Sequence, residues 1–434
     1  MKIINSFPGY EFVKGEDKKM HNMYRGTDLG FGGYVYAEPG IYSNVALLDA
    51  ASLHPTSIVL LNKLGEYTQT YADLREARVL IKHRDYEAAG KLFDGKLKKY
   101  LDDDEKADEL SKALKLPLNA FFGISFASYD NPAKDSRDQN NIIALRGALF
   151  MRTLQDEVTS RGFKVVHIKT DSIKIPNATD EIIEFVKEFG KKYGYEMEHE
   201  ATYDRMCLVN DAVYIAKYDE YGVRNKGGKH ANEWTATGTQ FQVPYVFKNL
   251  FSREPIIFDD LCETKSVSKG DIYIDMNEDL PPVEEAEKEL AKLEEKYRKG
   301  KISDILFEES CKGLVDEIAA GHNYIFVGRV GRFCPIKDGC GGGKLYRVQD
   351  GKYYAVAGTS DYRWLEAELV QSLGKEADID ESYYISLCND AVAAINKYGD
   401  FDKFVSDEPY ICESVEDFMN VPEGIDDEIP FPFN

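Results

Sequence analysis

Two carboxylates, Asp49 and Asp171, have the setting that metal-assisted chemistry needs. Asp49 closes the apolar run VALLD (45–49), the pattern of a buried strand that presents an acid at its C-terminal end. Asp171 falls at the tip of a predicted hairpin, FKVVHI (163–168) and SIKI (172–175), with its turn at 169–171. Two acids on rigid strand ends can bridge a pair of divalent ions roughly 3.5–4 Å apart, which activate an attacking hydroxyl and hold a leaving group in phosphoryl transfer. Oxygen ligands of this kind favour Mg²⁺, with Mn²⁺ as a substitute. An acid at a strand end is also an ordinary structural feature, so spacing alone leaves both readings open.

The elements that must position these acids follow from periodicity. Between them, Tyr71 to Leu118 turns helical, with Leu74, Leu80, Ile81, Leu92, Leu97, Leu110 and Leu114 among charged residues, which predicts an inserted helical hairpin. Ile142, Leu145, Leu149, Leu154 and Val158 mark a long amphipathic helix closed by Gly162. A helix over about 180–193 and the β-rich stretch CLVNDAVYIAKY follow. This alternation predicts an α+β layer: an antiparallel sheet with helices on one face. Beyond Gly222 the pattern changes to a Gly-rich basic loop, a charged helix at 284–299 and a β-like segment at KYYAVAG (352–358).

Composition restricts the function classes. A chain of 434 residues, 43% hydrophobic, can bury the cores of two or three domains. No apolar run reaches the roughly 18–20 residues of a membrane span, and the start MKIINSFPGYEF lacks a signal peptide's apolar stretch, which predicts a cytoplasmic protein without a membrane partner. The seven cysteines are scattered without a CxxC pair; even Cys334 and Cys340 lack a common zinc spacing, so reduced thiols are expected. The net charge of −22 speaks against a polyanion ligand. That acid concentrates in DDDEKADE (102–109), EEAEKELAKLEEK (284–296) and the tail after Asp400, so a basic channel remains compatible with an acidic molecule.

Three segments resemble family B DNA polymerases. Asp49-Ala50-Ala51-Ser52-Leu53-His54-Pro55-Thr56-Ser57-Ile58 is similar to motif A, D-x-x-S-L-Y-P-S-I. Lys115-Leu116-Pro117-Leu118-Asn119-Ala120-Phe121-Phe122-Gly123 resembles motif B, K-x-x-x-N-S-x-Y-G, and Thr170-Asp171-Ser172 resembles the end of motif C, D-T-D-S. They occur in family order over about residues 40–220; Trp234 to Phe251 and the glycines near Gly339 bear a looser likeness to thumb regions of tailed-phage polymerases. The resemblance implies a right-hand architecture: 1–65 and 126–222 as palm, 66–125 as fingers, and 223–434 as thumb with C-terminal elements. It implies a DNA-directed DNA polymerase acting in viral replication, in a host cytoplasm. Its partners would be primer–template DNA and deoxynucleoside triphosphates. The usual exonuclease domain is not recognisable before motif A, which leaves two alternatives: the sequence is a fragment, or a separate exonuclease or N-terminal polymerase subunit docks here.

Carried over position by position, Asp49 and Asp171 would ligate two Mg²⁺ ions with the backbone of Ala50. The backbone around Ala51, Ser52 and Leu53 would cradle the triphosphate, and His54, in place of the motif's tyrosine, would exclude the ribose 2′-OH. Lys115 would meet the triphosphate, helped by Lys112 one turn earlier and by Arg75, Arg78 and Lys82 on the opposing helix; a solvated cationic face is the alternative for those four. Asn119, Phe122 and Gly123 would lie under the nascent base pair. Thr170 and Ser172 would flank the primer terminus. Two departures bear on catalysis: Lys169 replaces the first acid of motif C, and Ala212 replaces the lysine of the primer-gripping K-x-Y element that ends at Tyr214, where Lys217 and Tyr218 are possible substitutes.

Further DNA contacts are expected from Arg224, Lys226 and Lys229, and from Arg329, Arg332 and Lys344 in the segment 328–347, whose alternative is a structural turn cluster. That segment is not a phosphate-binding P-loop, because Asp338 stands where its first glycine belongs. Two rival readings remain at this level. One is a catalytically degenerate palm that binds DNA, and the other is a metal-dependent nuclease.

Overall fold

A computed structural model describes residues 6–131, 138, 140–224, 227–276, 283–311 and 323–407, with backbone alone for 283–287. The chain forms two compact units, Met1–Phe241 with Ala393–Asn434, and Gln242–Val392.

The first unit opens with a small antiparallel sheet, β1 (Tyr10–Lys14), β2 (Met20–Tyr24) and β3 (Thr27–Asp28). Its centre is a seven-stranded antiparallel sheet of β4 (Val35–Ala37), β5 (Gly40–Ala50), β6 (His167–Lys169), β7 (Ser172–Pro176), β8 (Met197–Asn210), β9 (Val213–Tyr218) and β10 (Trp234–Thr237). The order across the sheet is β10-β9-β8-β5-β7-β6-β4, with β5 at its middle. The run VALL is apolar throughout because β5 is covered on both faces. Ala46, Leu48 and Ala50 pack with Ile173 and Ile175 against helices, whereas Val45 and Leu47 join Ala201, Tyr203 and Leu208 on the other face.

Around this sheet lie α1 (Leu53–Leu60), α2 (Thr68–Lys82), α3 (Asp104–Ser125), α4 (Ile142–Ser160) and α5 (Asp180–Tyr193). The helical face belongs to α4 and α5. Thr179 caps α5 by accepting from the Ile182 amide, Asp180 and Glu181 occupy its first turn, and Gly194 ends it at φ 83°. α4 meets α1 closely: a β-carbon on Gly147 would lie 2.7 Å from Leu53 Cδ2, so only glycine fits there without displacement. α2 and α3 form the expected helical hairpin around Ala77, Ile81, Ala107 and Leu114. The antiparallel sheet with helices on one face is as expected, though its other face carries an apolar cluster of its own.

The second unit has two sheets. β11 (Glu263–Ser266), β14 (Val330–Ile336) and β17 (Arg363–Glu366) form one; β12 (Asp271–Asp275), β13 (Tyr324–Gly328), β15 (Lys344–Gln349) and β16 (Lys352–Ala355) form the other. The charged helix expected at 284–299 is α6 (Val283–Arg298), and Val370 of α7 (Ala367–Ser372) and Tyr384 of α8 (Glu381–Asn396) pack into a core with Ile272, Phe333 and Trp364.

Two boundaries differ from the sequence reading. The strand expected at 163–168 shrinks to His167–Lys169, because β6 pairs only along the short β4 and the first half of β7. The change of character after Gly222 is not where the first unit ends: Trp234 pairs with Lys217, so β10 completes the first sheet. All described cysteines are free, and Cys334 lies beside Cys262, Sγ to Sγ 3.6 Å, rather than beside Cys340. Among the described residues no helix is long and apolar enough to cross a membrane.

Candidate active site

Strand register brings the two acids together. Asp49, next to last in β5, lies opposite Ser172 of β7 on one side and Glu198 of β8 on the other. The β6–β7 turn therefore comes up against it, and the Ala50 amide donates to the Asp171 carbonyl at 2.8 Å. Ala50 thus has its N–H committed within the site, which leaves its carbonyl as the only ligand it can offer. The turn is held tightly. Thr170 adopts φ 61°, its amide donates to the Tyr34 carbonyl at 2.9 Å, and the Asp171 amide donates back to Lys169 O at 2.7 Å. A threonine in the left-handed region is strained by about 1–3 kcal/mol, a cost sustained where neighbours over-determine the turn.

Electrostatics marks the same place. Burial pushes the Asp49 carboxyl up to about 8, with the nearby Asp171 and Glu200 carboxylates raising it further and Lys82 opposing them. Burial also raises Asp171, with Glu200 adding to the effect. Half-buried acids grouped in this way favour either protons or a multivalent cation. The donors are all oxygens, which fits hard ions such as Mg²⁺. Glu198 and Glu200 escaped the sequence reading. Their signal was the period-two row Glu196, Glu198, Glu200, which resembles a solvated face. Glu196 and Glu198 also bring ligand atoms within 4.8 Å of one another and of His83, but Glu198 is already bonded to His83 at 3.0 Å.

The motif A loop is backed by arginines. Ser52, at φ 57°, precedes α1 without a side-chain cap, and its hydroxyl accepts from Arg78 Nη1 at 3.2 Å. Thr56 accepts from Arg75 Nη1 at 2.6 Å. Arg75 and Arg78 keep buried Nε groups without a hydrogen-bond partner among the described residues. Both arginines thus stand behind residues 52–56 instead of on an outer cationic face, and Lys82 pairs with Glu198 at 3.6 Å. His54 and Phe122, expected in separate roles, form one platform with ring centroids 4.1 Å apart and planes 6° apart. Burial holds the His54 imidazole below its ordinary value, and its Nδ1 has no partner among the described residues. On α3, Leu114 and Leu118 are buried while Lys112, Lys115, Asn119 and Gly123 are exposed. Tyr71 ties this helix to α2 through a 2.6 Å bond to Leu118 O.

The expected DNA contacts are dispersed. Tyr214 and Tyr218 lie on the sheet face that carries Asp49, packed beside Tyr203. Lys217 alternates to the reverse face, over Trp234 and 3.4 Å from Asp407, so it does not reach the acids. Arg224 pairs with Asp219 at 2.9 Å, Lys229 is exposed, and Lys226 lies outside the described residues. In the second unit Arg329 is exposed, Arg332 bonds Asp259 at 2.9 Å, and Lys344 donates to the carbonyls of Ser360 and Tyr362 at 2.7 and 3.2 Å.

No family model matches the chain. A DNA polymerase of Desulfurococcus sp. (strain Tok) is 26% identical over 232 residues, which is 47% of this chain and 30% of that protein. DNA polymerase 1 of Pyrococcus abyssi (strain GE5 / Orsay) is 29% identical over 219 residues, 44% of this chain and 28% of its own. The match thus spans less than a third of either relative. Among solved structures, the family B DNA polymerase from the hyperthermophilic archaeon Pyrobaculum calidifontis covers 85% of this chain and 47% of its own, with a TM-score of 0.43 and 14% identity. The chain therefore has archaeal DNA polymerase homologues at low identity over part of its length.

Proposed function

We propose that this chain is a template-directed DNA polymerase of family B type that extends a primer by phosphoryl transfer with two Mg²⁺ ions, in the replication of a virus. The observation that carries the reading is the Asp49–Asp171 pair: two half-buried carboxylates brought together at the ends of neighbouring strands, one of them pushed up to about 8. The names of the low-identity relatives support it. In right-hand terms, the seven-stranded sheet serves as palm, the α2–α3 hairpin as fingers and the second unit as thumb.

The primer 3′ oxygen forms a bond to the α-phosphorus of a deoxynucleoside triphosphate, the α–β bridging P–O bond breaks, pyrophosphate leaves, and the hydroxyl proton passes to solvent. Bound at Asp49, Asp171 and the Ala50 carbonyl, the metal ions would lower the cost of ionising that hydroxyl and neutralise the leaving group. The chain's own residues then orient the reactants. Ser52, held by Arg78, fixes the loop that receives the triphosphate; Lys115 supplies charge from α3; and the His54–Phe122 platform presents a flat surface to the incoming nucleotide.

The test is extension of a labelled primer on a DNA template with Mg²⁺ and four deoxynucleotides. The parent should extend, and Asp49→Asn and Asp171→Asn should each lose roughly 10³-fold or more in rate. A shortened primer would indicate a nuclease, and no product with either Mg²⁺ or Mn²⁺ would indicate a degenerate palm.

A further inference from the structure

One buried cation beside the carboxylates has no part in the reaction as proposed. Lys174, in the middle of β7, is only 3% exposed. Alternation along β7 puts it on the face of Ser172, which pairs with Asp49. Burying an ammonium costs free energy unless its charge is used. Burial holds this one down to about 8, with Asp49, Asp171 and Glu200 acting in the opposite direction.

Its immediate partners orient it without neutralising it. Nζ lies 2.9 Å from His167 Nδ1 and 4.8 Å from the centre of the Tyr214 ring. His167 Nε2 is 3.1 Å from the Asp211 carbonyl, which can only accept, so that nitrogen carries the proton and Nδ1 must accept from Lys174. One of three ammonium donors is spent this way, and the network fixes where the others point.

Lys174 and His167 line a depression of about 480 Å³, together with Lys169, Thr170, Asp171, Ser172, Tyr214 and Thr237. Two cations and four hydroxyls suit a phosphodiester, and the one acid of the lining, Asp171, is the residue proposed to hold a metal ion, which would offset its charge. The triphosphate has its own receiving group on the other flank, the Ser52 loop backed by Arg75 and Arg78. In-line displacement keeps attacking and leaving oxygens on opposite sides of the phosphorus, so the Asp171 flank is left to the strand that carries the attacking hydroxyl.

We propose that Lys174, oriented by His167, binds the phosphodiester nearest the primer 3′ end in this depression. It is a DNA-binding residue in addition to those of the polymerase reading, on which the proposal rests. It supplies from β7 a charge that Ala212, beside Asp211, does not carry.

The test is a binding titration of the full chain, in Ca²⁺, with fluorescent primer–templates that carry a neutral methylphosphonate at one primer linkage at a time. Affinity of the parent should fall roughly tenfold or more when the terminal linkage is neutral, and little at linkages further back. Lys174→Met should bind natural DNA that much more weakly and show no further loss with the modified terminus, while Lys174→Arg should keep the parent's profile. An undiminished methylphosphonate penalty in Lys174→Met overturns the proposal. Should that variant not fold, the parent scan still decides, because a flat profile also overturns it. Failure of the parent to extend a natural primer would sink the polymerase reading separately, and the titration would still report whether Lys174 meets a phosphate.

Discussion

The two flanks of the Asp49–Asp171 pair are built on different principles. On the strand flank nearly every group is committed. Thr170 is bonded and strained, the Asp171 carbonyl is used, and Lys174 and His167 are buried in one network. On the helix flank the supporting arginines lie behind the loop, while the cations that would touch a triphosphate, Lys112 and Lys115, stand exposed on α3. In the proposed reaction the first flank would be preorganised for a primer strand that stays bound through successive additions, and the second would be open to a nucleotide that enters and leaves each time.

Lys115→Ala sharpens this contrast most. If Lys115 meets the triphosphate as proposed, the variant should lower kcat/KM for the nucleotide by about 10²-fold and leave primer–template affinity unchanged. Arg78→Ala should cost less, about tenfold, since Arg78 is a positioning residue that acts through Ser52. Steady-state kinetics with each reactant varied in turn separates the two. Equal losses for both variants in the KM for DNA would erase the distinction between the flanks.

Gly33→Ala challenges the strand flank. A β-carbon there would lie 2.5 Å from Thr170 Oγ1 and 2.8 Å from Thr170 Cβ, so the turn that carries Asp171 must shift. The expected loss is about 1–3 kcal/mol of stability in urea, accompanied by slower extension at unchanged nucleotide KM. Wild-type stability and rate would mean that the turn is looser than its hydrogen bonds imply.

Much of this arrangement was legible in the sequence, and the rest was hidden for a physical reason. Strand ends, turn residues and motif spacing located Asp49 and Asp171, and the 3.6-residue pattern located the α2–α3 hairpin. Alternation also shows that Lys174 and Tyr214 each face one side of a sheet. It does not show that they meet, because β7 and β9 are separated by β5 and β8 in the strand order. Register shifts at Leu47/Leu48 and at Leu208/Asn210 mark bulges, which bend strands and add twist. Across that span the Lys174 ammonium lies 4.8 Å from the centre of the Tyr214 ring, a contact that no local pattern records. Lys217 differs: as the neighbour of Tyr218 along β9 it faces the reverse side, over Trp234, which alternation alone already gives.

A gentler probe is pH in metal-free buffer. The Asp49 carboxyl ionises near its ordinary 3.8 when unfolded and at about 8 when folded, so between these values the folded chain holds more protons and stability falls as pH rises. His167 and His199, both held near 4 by burial, give an opposite slope that is largely spent by about pH 7. Lys174, held down to about 8 by burial, is less protonated folded than unfolded as pH approaches 8 and opposes the fall, so thermal melts in EDTA should show Tm decreasing weakly from about pH 7 to 7.5, and rising over that window in Asp49→Asn. A rising Tm over that window would mean that Asp49 is already ionised in the folded chain.

The smallest effect concerns the stack between α1 and α3. His54 and Phe122 lie nearly parallel at 4.1 Å, and such pairs contribute about 0.5–1.5 kcal/mol beyond the area they bury. Because His54 is kept neutral by burial, this attraction does not depend on a charge. A double-mutant cycle of His54→Ala and Phe122→Ala in urea should return a coupling of that size, equal at pH 7 and pH 8. Coupling near zero would leave α1 and α3 meeting through the apolar cluster of Ile58, Tyr71 and Leu118, and the flat surface proposed to receive a nucleotide would then be assembled by the ligand instead of by the fold.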